Sequence, residues 1–225
     1  STHQVLLSPL LKKKEVFETF PVFSPDGNKL YFCAAKQMPI PEKYKEIRYS
    51  LCSIDFDKEK GTFGNRIDTL IDAEKMKKSI SFPRPSYDGK YIMFTLSDYG
   101  NFSIWHKEAD LWLLNLQDGS LRTIHEVNSD NTESFHNWSS NSHWFVFSSR
   151  REDGLYTRLY LACINKEGKV SKPFLLPQKN PMNYYDKLLY SYNVPEFTNS
   201  PVKIEPRKLE REIVSNKRVQ VEVRK

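Results

Sequence analysis

The sequence predicts an all-β chain of propeller blades, each blade a sheet of four antiparallel strands. Three observations predict it. A phrase repeats: Phe20-Pro21-Val22-Phe23-Ser24-Pro25-Asp26-Gly27 returns as Phe82-Pro83-Arg84-Pro85-Ser86-Tyr87-Asp88-Gly89 and, more worn, as Phe135-His136-Asn137-Trp138-Ser139-Ser140-Asn141-Ser142. Each copy is followed by an apolar run, Leu30-Tyr31-Phe32, then Tyr91-Ile92-Met93-Phe94, then Phe145-Val146-Phe147-Ser148. The leading phenylalanines stand 62 and then 53 residues apart, which leaves room for four strands per copy and is the period of a blade.

Taken in order, residues 1–14 contain Gln4-Val5-Leu6-Leu7, which reads as the outer strand of a preceding blade. Residues 15–180 hold the three blades. In each, the repeated phrase is a hairpin: Pro25 presets φ, Asp26 and Asp88 bond the backbone two residues on, and Gly27 and Gly89 take positive φ. In the third copy Asn141-Ser142 replaces Asp-Gly, and Asn141 is the residue expected to tolerate the left-handed region. Third strands are expected at 49–54, 110–114 and 159–164. The turns Lys60-Gly61, Asp118-Gly119 and Glu167-Gly168 lead to outer strands near 66–71, 120–124 and 172–176. Insertions at 37–48 and 97–108 lengthen the first two blades between their second and third strands.

Residues 181–225 form an extension. Asn180 caps a short helix with Pro181 at its first position, reaching toward Tyr190. A second helix over 206–215 places Leu209, Ile213 and Val214 on one face, and Val219, Val221 and Val223 alternate as a strand does. That strand is expected to pair with an open blade edge, closing the ring or docking onto a partner, with a disordered basic tail as the alternative. Three blades do not close a propeller, for which about four to eight are usual. The chain is therefore expected to be the C-terminal half of a larger propeller, leaving two apolar blade faces open.

Ser24-Pro25-Asp26-Gly27 followed by Lys29-Leu30-Tyr31-Phe32, with an aspartate-led strand such as Asp110-Leu111-Trp112, resembles the WD40-like propeller repeat of TolB-type proteins. The resemblance covers residues 15–180, and Tyr190 to Phe197 is similar to the tail that closes some Bacteroidetes-type members described as TolB-like periplasmic proteins. It implies a non-enzymatic binding or scaffold module in a cell-envelope complex, periplasmic or membrane-associated, partnered by another protein, by the missing propeller half or by a second copy. Fold alone does not fix function. The alternatives are the non-catalytic propeller of a prolyl-oligopeptidase-like peptidase, or a propeller-type polysaccharide lyase or glycoside-active enzyme with its site in the mouth. No Gly-x-Ser-x-Gly elbow occurs, and a lyase needs histidines and carboxylates converging at the mouth.

Composition narrows the field further. With 39% hydrophobic and 13% aromatic residues, 225 residues suffice for a β-rich core. The net charge of +6 arises from 34 basic residues spread among 28 acids, which reads as a solvated surface and not as a nucleic-acid groove. Cys33, Cys52 and Cys163 fit no zinc, haem or redox spacing and are read as buried thiols, although Cys33 and Cys52 share a blade and could pair. No apolar run of about 18 residues exists to cross a membrane as a helix. No signal-peptide pattern opens the chain, so the envelope location rests on the resemblance alone.

Candidate site residues follow from propeller geometry. Innermost strands line the channel, which nominates Arg84 and His136, with Glu133, Ser134 and Asn137 in the lead into the third blade, as ligand or partner contacts. Tyr99 and Trp105, beside Phe102 in the second insertion, are candidate aromatic anchors. Arg150-Arg151 either bind an acidic group or form surface ion pairs, and the second is preferred. His136 and His143 lie on different strands and could face each other, but His125, Glu133, His136 and His143 have no metal-ligand spacing. No catalytic residue, metal or cofactor is expected.

Overall fold

A computed structural model describes residues 4–100, 102–215, 217–218 and 220–223. After β1 (Gln4–Val5) come β2 (Val16–Phe23), β3 (Lys29–Lys36), β4 (Ser50–Asp57) and β5 (Thr62–Ile71), which pair in that order as an antiparallel sheet. The second sheet is β6 (Ser79–Pro85), β7 (Tyr91–Ser97), β8 (Asp110–Asn115) and β9 (Leu121–Thr123). The third is β10 (Glu133–Trp138), β11 (Trp144–Ser149), β12 (Arg158–Cys163) and β13 (Phe174–Leu175). Three four-stranded blades thus stand where the repeat predicts them. The outer strand shortens from one blade to the next, from 10 residues to 3 and then 2.

The hairpins are held by one hydrogen-bond scheme used three times. The amides of Lys29, Tyr91 and Trp144 donate to the hydroxyls of Ser24, Ser86 and Ser139, each at 3.0 Å. Those hydroxyls donate to Asp26, Asp88 and Asn141 at 2.5, 2.7 and 2.7 Å. Each acid or amide in turn accepts the backbone N–H two residues on. Gly27 and Gly89 take φ of +73° and +71° as predicted. In the third copy the left-handed residue is Ser142, at +58°, and not Asn141. Asn141 occupies the aspartate slot, where its side chain is needed as the acceptor, so the residue after it must turn.

The inner strands carry a feature that the sequence hides. Between Ser134 and Asn137, three steps of β10 face two steps of β11, from Ser148 to Val146, and the same bulge recurs at Thr19–Val22 and Ser81–Arg84. The residue inside each bulge is a phenylalanine with positive φ: Phe20 at 53°, Phe82 at 53° and Phe135 at 51°. That conformation is strained for a bulky residue and persists only where packing enforces it. The packing here is mutual, since the Phe20 and Phe82 ring centroids are 4.4 Å apart and those of Phe82 and Phe135 4.9 Å apart.

Two interfaces join the blades. Blades one and two bury Cys33, Tyr49 and Leu51 against Ile80, Ile92 and Phe94. Blades two and three bury Met93, Leu111 and Leu113 against Trp138, Phe145 and Phe147. Cys33 faces this core while Cys52 packs on the opposite side of blade one, so the pairing considered for them does not form, and all three cysteines are free.

The two end faces are not left bare. On blade one, Phe32, Cys52 and Ile54 are covered in part by Leu10 and Leu11. On blade three, strand alternation turns Val146 and Ser148 away from blade two, and the chain crosses that side itself. Helix α1 (Pro181–Asp186), capped by the Asn180 side chain on the Asn183 amide at 3.1 Å, leads into the crossing segment. Arg158 donates to the carbonyls of Leu188 and Tyr190, Thr157 to that of Tyr192, Ser148 to that of Asn193 and Asn137 to that of Pro195. Of the two apolar faces expected to lie open, that of blade one is covered in part and that of blade three is crossed by the chain's own segment. A second helix, over Pro206–Val214, is exposed throughout. Strand Glu222–Val223 pairs in parallel with β1, so it joins no blade edge; Val219 lies outside the described residues. Among the described residues no helix is long and apolar enough to cross a membrane.

Candidate functional site

The loops joining second to third strands gather at the end of the blades where the inner strands begin. Of these, the second-blade loop between Ser97 and Asp110 is the most firmly built. Its short 3-10 turn, Ser103–Trp105, is pinned by the buried Ser103 hydroxyl, which lies 3.2 Å from that of Ser81 and 3.1 Å from that of Ser134. Ser134 also meets the Thr95 hydroxyl at 3.0 Å, and Thr132 donates to the His106 carbonyl at 2.7 Å. Gly100 donates its amide to the Ile47 carbonyl, locking this loop to that of blade one. A Cβ there would come 2.4 Å from the Tyr49 ring, so only glycine fits.

This anchoring leaves two aromatic side chains in solvent: Phe102 is 78% exposed and Trp105 68%. Tyr99 does not join them. It folds back between Tyr44 and His106, with ring centroids at 5.6 and 4.1 Å. Beneath Trp105 lies Arg150 of blade three, its guanidinium 3.8 Å from the indole centroid and the residue only 7% exposed.

The adjacent Arg151 behaves differently. It donates to Glu133 at 3.1 Å and to Ser149 at 2.9 Å, and also to the Val127 carbonyl. Glu133 is fully buried and further accepts the Ser129 amide at 2.9 Å and the Ser129 and Ser149 hydroxyls, each at 2.7 Å. Burial raises its pKa, against the lowering effect of those hydrogen bonds and of Arg151. Nearby Asp110 is pushed up to about 6, by burial first and then by the charge of Glu133, with His125 and Lys78 opposing. The ion pairs preferred for the arginine doublet thus hold for Arg151, in buried form, and not for Arg150.

The residues nominated from the sequence do not assemble into one site. Glu133 and Ser134 belong to the buried network under the loops. His136 is 1% exposed and its Nε2 lies 2.9 Å from the Met93 carbonyl, so it is a neutral core histidine between blades two and three and no partner reaches it. His136 stands in the slot of Pro83, one residue past the bulge phenylalanine, and both are buried. Asn137 occupies the slot of Arg84 and is taken up by the Pro195 carbonyl at 3.5 Å. Arg84 is half-buried, with its carbonyl accepting the Trp138 indole N–H at 2.9 Å. His143 lies against the Ile164 carbonyl, 3.3 Å from its Nδ1, and does not face His136. Among the described residues no three His, Cys, Asp or Glu side chains gather as metal ligands. Only Trp105, of the nominated residues, stands free as an anchor. Phe102 and Arg150 were visible in the sequence, but nothing there separated Arg150 from Arg151.

No family model and no curated protein matches the sequence. Solved structures do. Oligogalacturonate lyase, in a complex with manganese, matches over 74% of this chain and 44% of its own at 14% identity, with a TM-score of 0.52. The chain has a β-propeller fold. A TolB-type structure from Agrobacterium tumefaciens matches 72% of this propeller chain at 20% identity and TM-score 0.46. A puromycin-hydrolyzing peptidase from Mycobacterium tuberculosis matches 73% at 16% identity and TM-score 0.49. The propeller chain spans 50% of the length of the first and 24% of the second. The likeness is one of fold, and fold alone does not fix activity.

Proposed function

We propose that this propeller is a non-enzymatic binding module that engages another protein through the loop end of its blades, in a cell-envelope assembly. The observation that carries the reading is the exposure of Phe102 and Trp105 on a loop whose own hydrogen bonds are buried. Large aromatic side chains held rigid in solvent lose little entropy on contact and are the commonest anchors of protein interfaces. The chain's own segment crossing the blade-three face, and the partial cover of the blade-one face, favour the loop end as the surface of contact. The envelope setting derives from the resemblance of the repeats to TolB-type proteins.

The test compares wild type with the double variant Phe102→Ala, Trp105→Ala, both immobilised and matched for melting temperature. Exposed substitutions of this kind change stability by about 0.5 kcal/mol or less. A polypeptide from the native source retained by wild type and lost from the variant supports the reading. Equal retention by both refutes it.

A further inference from the structure

We infer that Arg150 and Trp105 together form a receptor for a carboxylate carried on an acidic peptide segment of the partner. The inference rests on the docking reading above and names the chemistry it recognises.

Among the described residues, the Arg150 side chain has neither a hydrogen bond nor an ion pair, and its Nε is buried without a partner. A guanidinium is costly to withdraw from water uncompensated, and the neighbouring arginines are both compensated. Arg151 holds Glu133, and Arg158 holds Asp153 at 3.6 Å. Burial accordingly lowers the Arg150 pKa, and only the more distant charge of Asp153 opposes this.

The other acids of this rim are committed as well. Glu152 accepts the Tyr160 hydroxyl, Glu108 takes the Asp98 amide and lies against His106, and Asp98 pairs with Lys78. Asp153, the acid whose charge reaches Arg150, is already shared with Arg158, which leaves Arg150 open to a carboxylate supplied by a partner.

Geometry selects the form of that charge. The indole covers one face of the guanidinium, and of its in-plane donors the two terminal Nη groups, not the buried Nε, are open to a ligand. In-plane donors fit a planar acceptor with two oxygens side by side. A single guanidinium balances one negative charge, which favours a carboxylate over a dianionic phosphate. Trp105 and Phe102 are too exposed to enclose a small molecule but offer apolar surface beside the charge, as an extended peptide with an acidic and an apolar residue requires.

The experiment follows the Arg150 Nε–H and Trp105 indole N–H signals by two-dimensional ¹H–¹⁵N NMR on the full chain. Three short blocked peptides are titrated, identical but for Glu, Gln or phosphoserine beside a leucine. The Glu peptide is expected to shift both signals saturably, with a Kd on the order of 1 mM. The Gln peptide should bind about tenfold more weakly or not at all. Arg150→Gln should abolish the difference between Glu and Gln without lowering the melting temperature, because it removes an uncompensated charge. Arg150→Lys, which keeps charge but not the planar fork, should weaken the Glu peptide about tenfold. Equal response to Glu and Gln, preference for phosphoserine, or no shift of either signal overturns the inference. If Phe102→Ala, Trp105→Ala loses the partner while Arg150→Gln retains it, the carboxylate fails and the docking surface stands.

Discussion

Acidification should destabilise this propeller through one residue, His136. Its ring is sealed between blades two and three, Nε2 meets the Met93 carbonyl at 2.9 Å and Nδ1 has no partner. Burial, helped by the charge of Arg84, depresses its pKa from 6.5 to about 3, against the raising effect of the Met93 and Phe82 carbonyls. A base with a depressed folded pKa contributes stability that is whole above its unfolded value and is lost as the pH falls toward the folded one. Each pH unit in that window costs about 1.4 kcal/mol, so descent from pH 6.5 to 4.5 removes about 2.7 kcal/mol. That is a large share of the roughly 5–15 kcal/mol of an ordinary domain. Asp110, whose pKa is raised, works in the opposite direction over the same range, so the histidine must be isolated by difference. The assay is urea unfolding at pH 7 and pH 4.5 of wild type and of His136→Gln, whose amide still donates to Met93 but takes no proton. Wild type should lose about 2.7 kcal/mol more than the variant on acidification. Equal losses would refute the sealed, neutral histidine.

Further outcomes follow from the same contacts. Gly89→Val puts a side chain at φ +71° but into open space, so calorimetry should show a loss of about 1–2 kcal/mol from the backbone alone; an unchanged melting curve would sink the turn assignment. Gly100→Ala drives a methyl group to 2.4 Å from the Tyr49 ring, and should cost about 1–3 kcal/mol while also changing the fluorescence of Trp105, five residues on. Glu133→Ala strands the Arg151 guanidinium in a largely buried setting and should cost about 3–5 kcal/mol. The double variant with Arg151→Ala should cost less than the two single losses added together, and additivity in a denaturation cycle would show that the pair is not coupled.

How much of this was readable in advance depends on the range of the interaction. Ser24, Asp26 and Gly27 settle their turn among themselves, through bonds that span five residues at most, and the sequence states it openly. The same scheme survives in Ser139 and Asn141, which is why a worn third copy still marks a blade. The exposed pair Phe102 and Trp105 was half legible, since an aromatic insertion is visible in the sequence but its folding is not. Tyr99 shares that insertion and turns inward because Tyr44, from another blade, is there to receive it.

Blade count, hairpin chemistry and strand order are legible in the repeats, because each is decided by residues close together in the chain. Tertiary structure alone decided which way the inner strands face. The bulge at Phe20, Phe82 and Phe135 exists only against the neighbouring strand, and the packing of blade three on blade two buries His136. It also decided that Leu10 and Leu11 cover one end and residues 188–195 cross the other, contacts that join residues up to 58 positions apart. The division between Arg150 and Arg151 has the same cause. The two are identical in sequence context, and only the position of Glu133 under one and Trp105 over the other makes the first a receptor and the second a strut.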